Sequence, residues 1–300
     1  MTSLLFQTCI PLAALILLGY IIGRKHTIDI KSVATIAIYA ITPLVAFGST
    51  ARLVFTPALI ALPFFTFLMA LAIGLVSYFV GKRFLDKNES CLLPVACGSG
   101  NTGYFGLPIA LALFGPDAAG TYFLANLGVV VFETSVGFFF VARGSLTTRE
   151  ALRRVAGLPV LYALILGVSF AAMGQHLPEA AVKLWELCKG AYVVIGMMIA
   201  GLALAQAKGF KRNARLLGMT LLGKFALWPL AALGFAMLDP GLFTPEIHQL
   251  VLVLSLAPVA ANLPAYAAAN GAPVRDSALL VLISTILAVL ALPFVLPILL

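Results

Sequence analysis

The sequence predicts an all-α polytopic membrane protein of ten transmembrane helices, arranged as two inverted five-helix repeats with a broken fourth and ninth helix. Three observations carry that prediction. Of the 300 residues, 62% are hydrophobic and only 10% are charged, where a soluble domain has roughly 25% charged residues. A spanning helix takes about 20 residues, and ten apolar runs of about that length divide the chain. The basic residues are concentrated in every second connection between the runs.

In order, the runs cover residues 4–23, 32–51, 57–80, 90–114, 118–141, 154–174, 187–206, 214–238, 248–270 and 277–299. Charges, glycine or proline bound each of them. The first has no basic stretch ahead of it and is followed at once by Arg24 and Lys25. It is therefore expected to stay as a span and not to be cleaved as a leader. One set of alternate loops holds Arg24, Lys25 and Lys31, then Lys82, Arg83 and Lys87, then Arg143, Arg149, Arg153 and Arg154, then Lys208, Lys211, Arg212 and Arg215, and finally Arg275. The other set holds only Arg52, Lys183 and Lys189. Basic residues accumulate in cytoplasmic loops, so both termini are expected outside the cytoplasm, in a bacterial inner (plasma) membrane. The same dispersed loop charges account for the net +8, so no nucleic acid partner is expected.

Two internal matches suggest a duplication. The first run reads Pro11-Leu-Ala-Ala-Leu-Ile-Leu-Leu-Gly19 and the sixth reads Pro159-Val-Leu-Tyr-Ala-Leu-Ile-Leu-Gly167. The fourth holds Leu107-Pro108 with Gly115 seven residues beyond the proline, and the ninth holds Leu263-Pro264 with Gly271 at the same distance. The pairs one with six and four with nine are those that a five-plus-five duplication requires, with halves 1–150 and 151–300. Five is odd, so the second half enters the membrane from the opposite side.

Gly98, Gly100, Gly103, Gly106 and Pro108 crowd the centre of the fourth run. There each glycine costs a helix about 1 kcal/mol and the proline about 3 kcal/mol. Pro258, Asn262 and Pro264 hold the equivalent depth of the ninth. Unwound backbone is tolerated at that depth only inside protein or beside a water-filled cavity, so the two breaks are expected to meet. Free N–H groups and half-helix dipoles there attract anions, and free carbonyls hold cations or hydroxyls. Asn101, Thr102, Gly103, Tyr104, Pro108, Asn262 and Pro264 are the expected substrate-binding residues. Close helix packing and a simple proline kink are the structural alternatives.

Glu133 and Lys224 are the charges far from any predicted interface, where insertion costs at least about 2.5–3.5 kcal/mol. Either they pair structurally, or Glu133 exchanges a proton and Lys224 balances substrate charge. Asn126 and Gln206 are weaker candidates, and Tyr104 and Phe105 either line the cavity or pack. The chain carries no phosphate-binding GxxxxGKS/T loop, and His26, His176 and His248 fall in loops or at span ends. This excludes a primary pump and leaves Ser99 without a histidine base. Cys9, Cys91, Cys97 and Cys188 lack metal or redox spacing. A secondary transporter without cofactor or metal is therefore expected, and not an enzyme.

The stretch Gly100-Asn101-Thr102-Gly-Tyr-Phe-Gly106-Leu-Pro108-Ile-Ala-Leu-Ala-Leu-Phe-Gly115 resembles the fourth-span signature of the auxin efflux carrier family. That resemblance implies a fold of the sodium/proton-antiporter type, with a scaffold domain, a transport domain and homodimerisation. It implies a small organic anion as substrate, a carboxylate such as malate or malonate or an auxin-like acid, contacted by Asn101 and moved by alternating access. The alternatives are a sodium-coupled carrier of the bile-acid symporter type, and a channel or sensor on the same scaffold. Coupling to protons or to sodium stays open at this level. About a dozen residues join the fifth and sixth runs, so regulation through a long loop is not expected.

Overall fold

The computed structural model describes residues 2–52, 57–115, 118–206 and 213–300, and all regular structure among them is helical. In chain order the helices are α1 (Thr2–Lys25), α2 (Ile30–Thr50), α3 (Pro57–Gly81), α4 (Lys87–Gly98), α5 (102–114), α6 (118–145), α7 (Thr148–Ala156), α8 (Pro159–Ala172), α9 (Glu179–Gln206), α10 (Ala214–Leu238), α11 (Pro245–Ser255), α12 (Leu263–Asn270) and α13 (Val274–Leu299). Among the described residues, six stretches are long and apolar enough to cross a membrane: Ile30–Thr50, Leu59–Gly81, Thr121–Ser145, Glu179–Ala205, Ala214–Leu238 and Val274–Leu299. Helices α7 and α8 make a seventh if joined across their 45° bend. The fourth and ninth apolar runs are not continuous helices. Each is two short ones, α4 with α5 and α11 with α12.

Local chemistry sets the helix starts. The Asp29 carboxylate accepts from the backbone N–H groups of Lys31 and Ser32, and the Asn213 amide oxygen from those of Arg215 and Leu216. Asp86 with Glu89, and Thr147 with Glu150, form reciprocal caps at the starts of α4 and α7, satisfying N–H groups that have no partner within the helix. The bonds from Thr147 also hold the Glu150 carboxyl below its ordinary range.

The sixth apolar run differs from expectation at its start. Residues 154–156 belong to α7, a short amphipathic helix with Arg149, Arg153 and Arg154 on it. Gly157 and Pro159 break it from α8 because proline cannot continue a helix that precedes it. The seventh run begins eight residues earlier than its hydropathy suggests. Two polar turns, stabilised by the Lys183–Glu179 pair four residues apart (2.6 Å), extend α9 outward.

Four helices contain a wide, π-helical turn: Ala37–Ile41 in α2, Thr102–Gly106 in α5, Glu133–Gly137 in α6 and Gly223–Leu227 in α10. In three of them a proline follows within two residues, at Pro43, Pro108 and Pro229. A proline removes one N–H and its ring crowds the carbonyl four residues back, and a widened turn relieves both. The turn at Glu133 has no proline after it and no such local cause.

Helix α1 lies along α9, with Gly19 against the Met198 carbonyl and Gly201 against the Ile16 carbonyl. Neither site has room for a Cβ. Helix α8 lies along α2, with Gly167 against Thr50. Phe132, Tyr122, Phe138 and Trp228 are fully buried: Phe132 of α6 fills the space left by Gly74 of α3 and Gly98 of α4, Tyr122 lies against Gly106 of α5, and Phe138 meets the Tyr266 ring of α12.

Candidate functional site

The two interruptions meet through the main chain. The Asn101 N–H, in the gap between α4 and α5, donates to the Pro258 carbonyl, in the gap between α11 and α12, at 2.7 Å. The Val259 N–H is taken up by the Ser284 hydroxyl of α13 at 3.0 Å. Buried backbone groups freed by the breaks thus find partners across the crossing, as they must where no water reaches them.

Two side chains of α10 close the end of α4. The Trp228 indole donates to the Cys97 carbonyl at 2.6 Å, and the Lys224 ammonium donates to the Ser99 carbonyl at 2.9 Å. Lys224 also lies 5.1 Å from the Trp228 ring centroid. A helix C-terminus carries a partial negative charge and unpaired carbonyls, so an ammonium there is stabilised by the helix end itself. Glu133 of α6 stands at the complementary place. Asn262, the residue that opens α12, donates its amide N–H to Glu133 Oε1 at 2.9 Å and to the Tyr192 hydroxyl at 3.3 Å. The Tyr266 and Ser99 hydroxyls lie beside the same carboxyl. Positive helix N-termini favour anions, so each buried charge sits at a half-helix end of opposite sign. Of the two alternatives open for these charges, a direct Glu133–Lys224 ion pair is not formed. Ser99 stands between the two charges, with its carbonyl on the ammonium and its hydroxyl given back to the Val95 carbonyl.

A cavity of about 810 Å³ opens from the crossing. Of the residues expected to bind substrate, Asn101, Thr102, Gly103, Pro108 and Asn262 line it, and Glu133 does too. Pro264 does not reach it. It is buried in the first turn of α12, where its fixed φ starts the helix. Lys224, 1% exposed, also stays behind the wall. Phe105 is fully buried and packs. The side chains of Tyr104 and Gln206 lie outside the described residues.

The polar end of the cavity is tied together. The Thr102 hydroxyl donates to the Asn126 amide oxygen, the Tyr122 hydroxyl to the Thr102 carbonyl at 3.1 Å, and the Asn101 amide to Met197 Sδ at 3.3 Å. The Asn101 amide oxygen is buried and accepts no hydrogen bond, which leaves it available to a ligand. Leu107, Leu111, Phe123, Leu127 and Val193 supply apolar walls. Sequence reasoning missed the α2 and α9 contributions, above all Ser49, Trp185, Lys189 and Tyr192. The last three are spaced by four and three residues, which puts them on one helix face. That spacing is legible in the sequence, but hydropathy starts the seventh run beyond Trp185.

Residues 190–300 match the model of the sodium bile acid symporter family. An uncharacterized transporter of Methanocaldococcus jannaschii is 28% identical over 203 residues, covering 64% of this chain and 66% of that protein. A second uncharacterized transporter, of Methanothermobacter thermautotrophicus, is 26% identical over 204 residues, covering 66% of this chain and 67% of its own length. The chain thus aligns with about two thirds of these curated relatives, both of which are named as transporters. It overturns the resemblance to the auxin efflux carrier family, because the family that matches is the bile acid symporter one. The physical reason is that a glycine- and proline-rich break is what unwinds any crossing half-helix. It marks the architecture and not the family.

Proposed function

We propose that the chain is a secondary transporter that moves an organic anion at the crossing of α4–α5 with α11–α12, coupled to sodium in the manner of bile-acid symporters. The observation that carries this reading is Glu133. No carboxylate lies near either break in sequence, yet the fold brings one to the crossing, hydrogen-bonded to Asn262 on the wall of the cavity that Asn101, with its unpartnered amide oxygen, also lines. Oxygen donors with one negative charge suit a hard monovalent cation, and the cation's charge offsets that of an anionic substrate. The predominantly apolar walls suit an amphipathic anion, a bile-acid-like carboxylate or sulfonate, more than a small dicarboxylate.

The same reading takes the ten runs as ten spans in two inverted halves, 1–150 and 151–300, with both termini outside a plasma membrane. An inversion that exchanges spans one with six and two with seven turns the α1·α9 seam into α8·α2, and both seams are built on close glycine contacts. Alternating access then rocks one bundle against the other around the crossing. A homodimer through the scaffold helices belongs to this reading, and an enzymatic activity does not. Ser99 gives its hydroxyl to the Val95 carbonyl, and His248 is engaged with Asp239.

Proton coupling is the second reading, favoured by Lys224. Its ammonium already holds the Ser99 carbonyl, so the chain itself supplies one cation at the crossing. The deciding experiment is uptake of radiolabelled taurocholate into proteoliposomes under an imposed sodium or proton gradient, for the wild type and Asn101→Ala. Sodium-driven accumulation that falls at least about tenfold in the variant, a loss of about 1.4 kcal/mol, supports the first reading. Accumulation driven by protons alone selects the second.

A further inference from the structure

We infer that the outer mouth of the cavity is a separate anion-recognition subsite, built from Arg52, Lys189 and Trp185, that a carboxylate or sulfonate occupies before it reaches the crossing. The inference deepens the proposed function and rests on its anionic substrate. The face opposite the basic loops has only three Lys or Arg residues in its connections, Arg52, Lys183 and Lys189. Two of those three line this one cavity. Chance placement of scarce charges does not favour that arrangement, and the topology rule removes positive charge from this face.

The geometry holds both cations at the opening. The Arg52 guanidinium carbon is 4.7 Å, and Lys189 Nζ 4.3 Å, from the Trp185 ring centroid. The ring is itself anchored, its N–H donating to the Ser49 hydroxyl at 3.2 Å and its edge filling the space left by Gly48. A cation over an indole face is drawn by the ring's quadrupole, so two flexible side chains are gathered where they would otherwise separate by repulsion. Glu186, the carboxylate also at the mouth, lies 3.4 Å from Lys189. It offsets one of the two positive charges, and the opening keeps a net charge of one. Arg52 keeps its N–H donors for a ligand, and its planar fork matches a carboxylate or sulfonate. Low-dielectric walls focus such a field and raise the local concentration of anions.

The chain supplies its own probe. It has two tryptophans. Trp228 is 1% exposed and hidden from collisional quenchers, so quenching of the full-length protein in nonionic detergent reports Trp185. Iodide, an anion, and acrylamide, a neutral molecule, are compared at constant ionic strength in the wild type, in Arg52→Gln/Lys189→Gln and in the charge-keeping Arg52→Lys/Lys189→Arg. The expected result is an iodide quenching constant about two- to fivefold lower in the Gln variant alone, with the acrylamide constant unchanged. Equal iodide constants in all three proteins would overturn the subsite. In sealed vesicles, the Gln variant is expected to raise the apparent KM for external taurocholate several-fold and to remove its dependence on ionic strength. A lowered iodide constant with an unchanged KM would overturn its place on the transport path. Absence of taurocholate transport by the wild type would count against the substrate reading, while the iodide comparison still judges the mouth.

Discussion

Lys224 and Glu133 are alike in almost every respect. Both are buried, at 1% and 6% exposure, both belong to wide helical turns, and both complement the end of a broken helix. They differ in access. Lys224 is sealed behind α4 with its hydrogen bond on a main-chain carbonyl, whereas Glu133 faces the cavity through an amide and hydroxyls. Complementing a helix dipole therefore explains why a charge survives in the bilayer, but not what it does. The wide turns repeat the contrast, since the one at Lys224 precedes Pro229 and the one at Glu133 precedes no proline. Wide turns without a local cause are frequent at functional sites.

The comparison makes its strongest demand at Lys224. Lys224→Glu would set a carboxylate against the Ser99 carbonyl and the negative end of α4, leaving an uncompensated buried charge worth about 3–5 kcal/mol. The expected result is loss of monodisperse protein on size exclusion, and a variant that remains folded would break the assignment of Lys224 as a structural cap. Next in size is Glu133→Gln, which keeps an acceptor for Asn262 and removes only the charge. Ion-driven uptake is expected to fall at least about tenfold, or 1.4 kcal/mol, with the melting temperature unchanged. Equal losses of uptake and stability would erase the distinction between the two charges.

An effect on stability and not on uptake is expected at Trp228→Phe, which leaves the Cys97 carbonyl without its donor. The cost of such an orphan is about 1–3 kcal/mol, read as a lower melting temperature with substrate affinity preserved. The smallest is Asn213→Ala at the N-terminal end of the same helix, where loss of a cap removes about 1 kcal/mol and serves as the baseline for α10. A drop at Asn213 as large as that at Trp228 would show that α10 is sensitive along its whole length and not specifically at the crossing.

What the sequence revealed followed from local physics. Hydropathy placed the apolar runs, and glycine and proline located both breaks to within a few residues, because helix propensity acts on neighbours. The placement of Glu133 against Asn262 spans 129 residues and that of Lys224 against Ser99 spans 125, and no spacing rule reaches so far. Both charges are recognisable as exceptional, but hydropathy leaves open whether they pair with each other or act apart. Helix ends proved the better partners, since an end with unpaired groups is a charge that composition does not count. The outer turns of α9 were lost for the opposite reason: Glu179, Lys183, Glu186 and Lys189 lower the hydropathy of a segment that is nevertheless helical.

The joint at the centre of the molecule is a bond between two main chains, Asn101 N–H to Pro258 carbonyl. No side chain takes part in it, so among the twenty residues only proline at position 101 deletes it outright. Every other substitution there leaves the donor and the acceptor in place, so the joint depends on the backbone being held and not on which side chains surround it.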